Sequence, residues 1–322
     1  MAETNTTTRT PTRSGGTPDN PAQLSKGTWM DTLKRTLREF KEDDLTLLAA
    51  ALTYYGVLSL FPAMLVLLSL LGLAGTDTID TLLKNLGSLT PSATRDVVTN
   101  AVHDLQASNS KAGFAFIAGI LGALWSASGY VGGFMKASNV IYEVEEGRKF
   151  WKLKPLQIAV TVVIMLLTAI IAISLVVTGP VAQRVGDIVG AGSAAVTIFG
   201  IAKWPVIALI VSLIFAFLYY VGPNVKQPGF RWVSPGGVVA VVLWVVASAA
   251  FAFYVAHFGS YSKTYGSMAA VIIFLIWLWI TNLVMLLGAE LNAEIERGRQ
   301  IEGGHDPDVE PFLPHREAPK ET

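Results

Sequence analysis

Five polar side chains close an apolar run near the end of this sequence. Glu290, Asn292, Glu294, Glu296 and Arg297 follow "GSMAAVIIFLIWLWITNLVMLLGA", which carries no charge from Gly266 to Ala289. A carboxylate is costly to bury in hydrocarbon, so these should face the bundle or water, where they can meet a charged headgroup. Glu290 and Glu294 are four residues apart and Arg297 is three further on, so on a helix the three share a face. Asn282 lies two turns above Glu290 but is rotated by about 80°, toward a neighbouring seam. Two readings follow. In one, Glu290 forms a polar mouth with Lys136 and Asn139, suited to a charged headgroup. In the other it is an anchor, tied to Arg297 or to basic groups of a nearby loop, that fixes where the helix leaves an apolar phase. Nothing in the spacing makes the cluster catalytic.

Other chemistry finds little support in the residues. The histidines are His103, His257, His305 and His315, and no two have the spacing of a ligand pair, so no metal site is expected. No phosphate-cradling "GxxxxGK[ST]" loop occurs and no cofactor is implied. Cysteine is absent, which excludes thiolate chemistry, and the formal net charge is zero, which gives no general case for a nucleic-acid partner. An enzyme is therefore not the expected function.

The elements that hold these residues come from the apolar pattern. Of 322 residues, 52% are hydrophobic and 15% charged, against about 25% charged in a soluble domain. The missing charge falls in long runs, and about 20 apolar residues are what a helix needs to cross a bilayer. Six runs qualify: 45–73, 113–135, 156–178, 205–221, 236–258 and 268–289. In lipid each must satisfy its own backbone, so the fold class is an all-α integral membrane protein with six transmembrane helices. Of the Lys and Arg residues flanking the spans, fourteen lie on the side of both termini and six on the other. That bias places both termini in the cytoplasm of a cell whose inner membrane the chain crosses.

The segments outside the spans divide the chain further. Residues 1–27 and 301–322 are rich in polar residues, Gly and Pro and are expected to be disordered tails around a membrane domain at 28–300. The start has no apolar leader, so no cleaved signal peptide is expected. "TWMDTLKRTLREFKEDD" puts Trp29, Leu33, Leu37 and Phe40 on one helical face and Lys34, Arg35, Arg38 and Lys41 around the rest. Such a helix beside a membrane lies in the headgroup plane, with membrane lipids as its partner. In the outer loop, "TIDTLLKNLGSL" and "TPSATRDVVTNAVHDLQA" both have helical periodicity, and together they predict a small outer hairpin.

Two features bear on packing within the bilayer. The second span carries small residues at four-residue spacing, among them Gly119, Gly122, Ser126 and Gly133, which predict close helix contact there. The third span is apolar nearly all round and reads as lipid-facing. Pro62 interrupts the first span one to two turns after Tyr54, Tyr55 and Ser59. A kink beside polar side chains can line a pathway, or it can be packed with its hydroxyls on backbone partners. Trp277 and Trp279 read as packing or lipid-facing rings rather than a ligand box.

The stretch "YGSMAAVIIFLIWLWITNLVMLLGAELNAEIER" resembles the C-terminal signature of the YihY/BrkB family of bacterial inner-membrane proteins. "LAAALTYYGVLSLFPAMLVLLSLLG" from Leu48, "LWSASGYVGGFMKASNVIYEVEEGRKFWKLK" from Leu124 and "YYVGPNVKQPGFRWVSPGG" from Tyr219 agree in the same order, over about Trp29 to Arg299. The resemblance implies six membrane helices with cytoplasmic termini. It brings an old label, ribonuclease BN, an association with virulence and serum resistance, and a proposal of lipid or amphiphile transport for some relatives. No catalytic residue set comes with it. The expected function is a transporter-like protein handling a lipid or other amphiphile in the cell envelope. A scaffold that binds envelope proteins without moving anything is the rival, and a ribonuclease is the least supported reading.

Overall fold

A computed structural model describes residues 18, 21–73, 110–176, 193–258, 268–307 and 309–319. These residues form seven α-helices: α1 Lys26–Glu42, α2 Leu45–Leu73, α3 Ser110–Ile141, α4 Phe150–Val176, α5 Ser193–Val221, α6 Phe230–Phe258 and α7 Ala269–Glu302. Among the described residues the extended pairing is a single antiparallel bridge, Val225 to His315. The all-α class is as expected, and α4 to α7 are each long and apolar enough to cross a membrane. The expected outer hairpin falls almost wholly on residues outside those described. α2 coincides with its apolar run, whereas α3, α5, α6 and α7 outrun theirs. α7 continues to Glu302 through its polar cluster, because Ala, Leu, Glu and Arg all favour helix and no Gly or Pro intervenes before Gly298.

The long helices α2 to α7 pack as a ring in chain order, each on the next, and α7 closes the ring against α2. α1 lies outside this ring against the polar end of α7. It starts at Ser25, whose hydroxyl accepts from the Thr28 amide at 3.1 Å, a side-chain N-cap. It ends in a two-residue turn, where Asp44 adopts a left-handed φ of 50° and its carbonyl accepts from Leu47 and Leu48 to begin α2. Asp is one of the few residues that visits this region at low cost.

Large apolar side chains face outward along the long helices, among them Leu166, Ile170 and Ile173 on α4, Val242 and Val246 on α6, and Leu209 on α5. Exposure on this scale belongs to a surface that meets lipid. α4 is not lipid-facing all round, however. Val160, Thr161 and Met165 are buried on the ring side, because α3 and α5 pack there.

Close helix approach occurs at glycines that the sequence pattern does not single out. α6 and α7 cross at Gly236 and Gly288. A methyl group at Gly288 would stand 2.5 Å from the Tyr219 hydroxyl and 2.8 Å from Ala240 Cβ, and one at Gly236 would overlap the Gly288 carbonyl. On α3, Gly133 does what its spacing predicts, for an added methyl would meet Tyr55 at 2.9 Å and Leu52 at 3.2 Å. Gly119 and Gly122 have no described atom within 4 Å of an added methyl, and Ser126 is exposed.

The segment after α7 does not match the expected disordered tail. Phe312 and Leu313 are buried and join the core. Lys226 N donates to the Pro314 carbonyl at 2.9 Å, Arg316 N to the Asn224 carbonyl at 2.8 Å, and Arg316 Nη2 to the Tyr220 carbonyl at 3.0 Å. A polar average over the segment hides two apolar anchors, and backbone pairing with the α5–α6 connection holds the rest. At the other end, Leu24 packs on Ile295, so the ordered chain also begins before residue 28.

Candidate functional site

The polar end of the bundle gathers α1, the start of α2, the α3–α4 and α5–α6 connections, the end of α7 and the C-terminal segment. Its charges are mostly paired, some of them across elements. Arg35 of α1 meets Glu294 of α7 in an ion pair. Arg297 lies 3.6 Å from Glu294, 3.7 Å from Glu143 and 2.6 Å from Glu310. Glu296 holds Arg299 at 2.7 Å and Gln300 at 2.7 Å. Asn292 Oδ1 accepts from Gly236 N at 2.9 Å, which ties α7 to the close crossing with α6. Pairing across four elements offsets part of the cost of taking these ions out of water.

Glu290 is placed differently from either sequence reading. It is 1% exposed, and its Oε2 has no hydrogen-bond partner among the described residues. The group that faces it is Asp43, in the turn between α1 and α2, within hydrogen-bonding reach. Burial, with the Glu39 charge adding to it, pushes the Asp43 carboxyl from 3.8 up to about 6. Across the same end, burial and a hydrogen bond with Glu310 raise Glu143 to about 8.

Lys136 and Asn139 do not join Glu290. Lys136 is exposed on α3. Asn139 turns the other way, donating to Glu146 Oε2 at 3.0 Å and accepting from Asn224 N at 2.8 Å. There it is part of a latch that sequence reading missed. Arg148 pairs with Glu146 at 2.7 Å and donates to the carbonyls of Val221 at 3.2 Å and Gly222 at 2.8 Å. The cation that turns onto α3 is Lys154, with its Nζ 2.6 Å from Ser128 Oγ and over the Trp125 ring at 4.5 Å.

Farther along the ring, Asn282 is fully buried and bridges three helices. Its Oδ1 accepts from the Tyr130 hydroxyl at 2.7 Å, and its Nδ2 donates to Thr53 Oγ1 at 3.1 Å. Beside this seam lies a cavity of about 410 Å³ between the helices, partly open to the outside. α2 lines it with Gly56, Ser59, Leu60 and Ala63, and α3 with Ala127, Tyr130 and Val131. α4 adds Thr161, Ile164, Met165 and Thr168, α5 adds Ile214, Phe215 and Leu218, and α7 adds Leu278 and Met285. Two hydroxyls in this lining are served from within, Tyr130 by Asn282 and Thr161 by the Gln157 carbonyl at 2.7 Å.

The expected kink is therefore divided. Ser59, on the turn before Pro62, faces the cavity, while Tyr54 and Tyr55 point out of it and meet edge to face at 5.7 Å. Trp277 and Trp279 act as packing rings, with their indole N–H groups on Ser248 Oγ and the Thr46 carbonyl. His257 stacks on Phe253 at 4.1 Å. Among the described residues, no group of three or more His, Asp and Glu side chains could hold a metal ion.

A family model described as virulence factor BrkB matches residues 36–311. The chain is 32% identical over 265 residues to YfkH of Bacillus subtilis, whose name calls it ribonuclease-like; the match covers 82% of this chain and 93% of that protein. It is 30% identical over 267 residues to a UPF0761 membrane protein of Alkalilimnicola ehrlichii, covering 79% of this chain but 55% of that longer protein. A UPF0761 membrane protein of Tolumonas auensis is 42% identical over 80 residues, which is 24% of this chain and 26% of that protein. No solved structure matches.

Proposed function

Because the chain belongs to the virulence factor BrkB family, which it shares with membrane proteins of unproven activity, we propose that it is transporter-like and admits an amphiphile to the lumen of its helical ring. The occupant with the best chemical fit is a lipid acyl chain. The observation that carries this reading is the cavity itself. It has the size of a small-molecule pocket, about 300 to 1,000 Å³. Its lining is apolar side chains with four hydroxyl-bearing residues and no charge. Water gains little in such a space, whereas methylene groups are stabilised there.

In this reading α2 to α7 each cross the inner membrane, and the excess of basic residues at the polar end puts that end in the cytoplasm. α1 then lies along the cytoplasmic surface. Trp29, Met30, Leu33 and Leu37 of α1 are exposed, while Thr32, Thr36 and Glu39 turn to the protein. That division gives the helix an apolar face for headgroups and a polar face for α7. The paired charges beside it supply a polar boundary at which a headgroup would stop, below an apolar lumen that takes the chain. The ribonuclease-like name stays with the relative that bears it, and no catalytic role is assigned to a residue of this chain.

Proteoliposomes with a fluorescent lipid in one leaflet test the reading. The protein should speed its passage to the other leaflet, and Ala127→Phe, which fills the cavity from α3, should reduce that gain at least severalfold. Flux equal to that of protein-free vesicles refutes it. Capture of a stoichiometric envelope protein without flux would put a scaffold in its place.

A further inference from the structure

One carboxyl stands apart from the paired charges at the polar end. Arg38 serves Glu39, Arg35 serves Glu294 and Arg299 serves Glu296. Glu290 is as buried as any of these, yet no cation lies within ion-pair distance of it among the described residues. What it faces is the carboxyl of Asp43. Two ionised carboxylates repel at that range, and they can hydrogen-bond each other only with a proton between them.

We propose that Asp43 and Glu290 form a proton-binding site, a carboxyl pair that holds one proton and couples it to the seating of α1 on α7. Only the purpose of this coupling rests on the transporter reading; the binding itself does not. The proton comes from cytoplasmic water, forms an O–H bond on Glu290 and is hydrogen-bonded by Asp43. Its release to water leaves two negative groups face to face.

The surroundings fit this role. On α1, Glu39 and Glu42 face the pair, with Arg35 and Arg38 held by other carboxylates. On α7, Glu294 faces it and Arg297 is shared with Glu143 and Glu310. From the α3–α4 connection comes Tyr142, whose buried hydroxyl lies beside Gln227 and in the field of both Glu290 and Glu296. The neighbouring cations are thus engaged by Glu39, Glu294, Glu143 and Glu310, and a proton is the smallest cation left to serve the pair. Burial raises the Asp43 carboxyl in the same sense. The pair also sits at a mechanical joint. Asp43 caps the end of α1 and Asp44 starts α2, so repulsion from Glu290 would act on the two-residue turn that joins the two helices.

Infrared difference spectroscopy on the full-length protein in lipid nanodiscs tests the site without any flux measurement. A carbonyl stretch of a protonated, water-excluded carboxyl should be present at neutral pH and lost on alkalinisation. Glu290→Gln should remove it, and Asp31→Asn, at an exposed carboxylate on α1, should leave it. Asp43→Asn, which keeps the pair's shape, should weaken proton affinity about tenfold and move the loss to lower pH; this variant carries the test if Glu290→Gln does not fold. A missing band, a band that survives Glu290→Gln, a midpoint unmoved in Asp43→Asn, or displacement of the band by sodium at constant pH would each overturn the proposal. Absence of lipid flux leaves the band as it is, so the two readings fail separately.

Discussion

Replacing Phe312 by Ala should release the C-terminal segment while leaving the helical ring intact. The ring of Phe312 is buried, 5.9 Å from the Tyr142 ring and 5.9 Å from the Arg297 guanidinium. Truncating a buried Phe costs about 3 to 5 kcal/mol, depending on how far the site can collapse. This site is at the rim, where water can enter the space left behind, so the lower figure of about 3 kcal/mol applies. Leu313, the Arg297–Glu310 pair and the backbone bonds to 224–226 remain. Docking of the segment should therefore weaken by about a hundredfold. Hydrogen exchange reads this directly. The amides of Lys226 and Arg316 donate to Pro314 and Asn224 across the docked interface, and both should exchange about a hundredfold faster. Amides inside α7 around Val284 should not change. Acceleration at Lys226 and Arg316 of less than about threefold would refute the view that Phe312 anchors the segment.

Gly288→Ala should lower the thermal midpoint and the yield of folded protein, since the added methyl meets the Tyr219 hydroxyl and Ala240 across the α6–α7 crossing. Overpacking of this kind costs about 1 to 3 kcal/mol. Gly119→Ala, with no described atom within 4 Å of its methyl, should melt like the parent. Asp43→Asn should stabilise the protein at neutral pH. Asp43 has a folded value of about 6 against 3.8, so the folded state binds this proton more tightly than the unfolded chain. Its favourable contribution is complete below 3.8 and is lost as pH rises through about 6. Asp43 is only partly buried, so solvent screening limits the gain in the variant to about 1 kcal/mol. Melting curves at neutral pH and near pH 4 should show the gain at the first and none at the second.

The apolar runs made the helices legible, because in lipid the backbone must satisfy itself and length alone then selects the element. Of the stripe expected on α1, Trp29, Leu33 and Leu37 lie on one exposed face, whereas Phe40 is half-buried against the core. Side-chain partners were less legible. Helical spacing put Glu290, Glu294 and Arg297 on one face, but it could not say that Arg35 would take Glu294 or that Asp43 would face Glu290. Those partners arrive from α1 and the turn after it, some 250 residues away in the chain. The same limit explains Asn139, whose partners Glu146 and Asn224 come from two connections. Small residues at four-residue spacing marked α3 as the crowded helix. The tightest crossing is instead at Gly236 and Gly288, where single glycines on two helices meet and neither sequence repeats. The tail misled by its average, since Phe312 and Leu313 are two apolar residues in a polar segment.

Photolabelling with a lipid that carries a diazirine in its acyl chain, in membranes that hold the full-length protein, tests the central claim most directly. If an acyl chain enters the cavity, adducts should map to its wall, at Ser59, Leu60 and Ala63 on α2, Thr161, Ile164, Met165 and Thr168 on α4 and Ile214, Phe215 and Leu218 on α5. Ala127→Phe should remove those adducts and spare the ones on the outer surface. Labelling confined to outward residues such as Ile170, Ile173 and Val246, and unchanged in Ala127→Phe, would contradict the account.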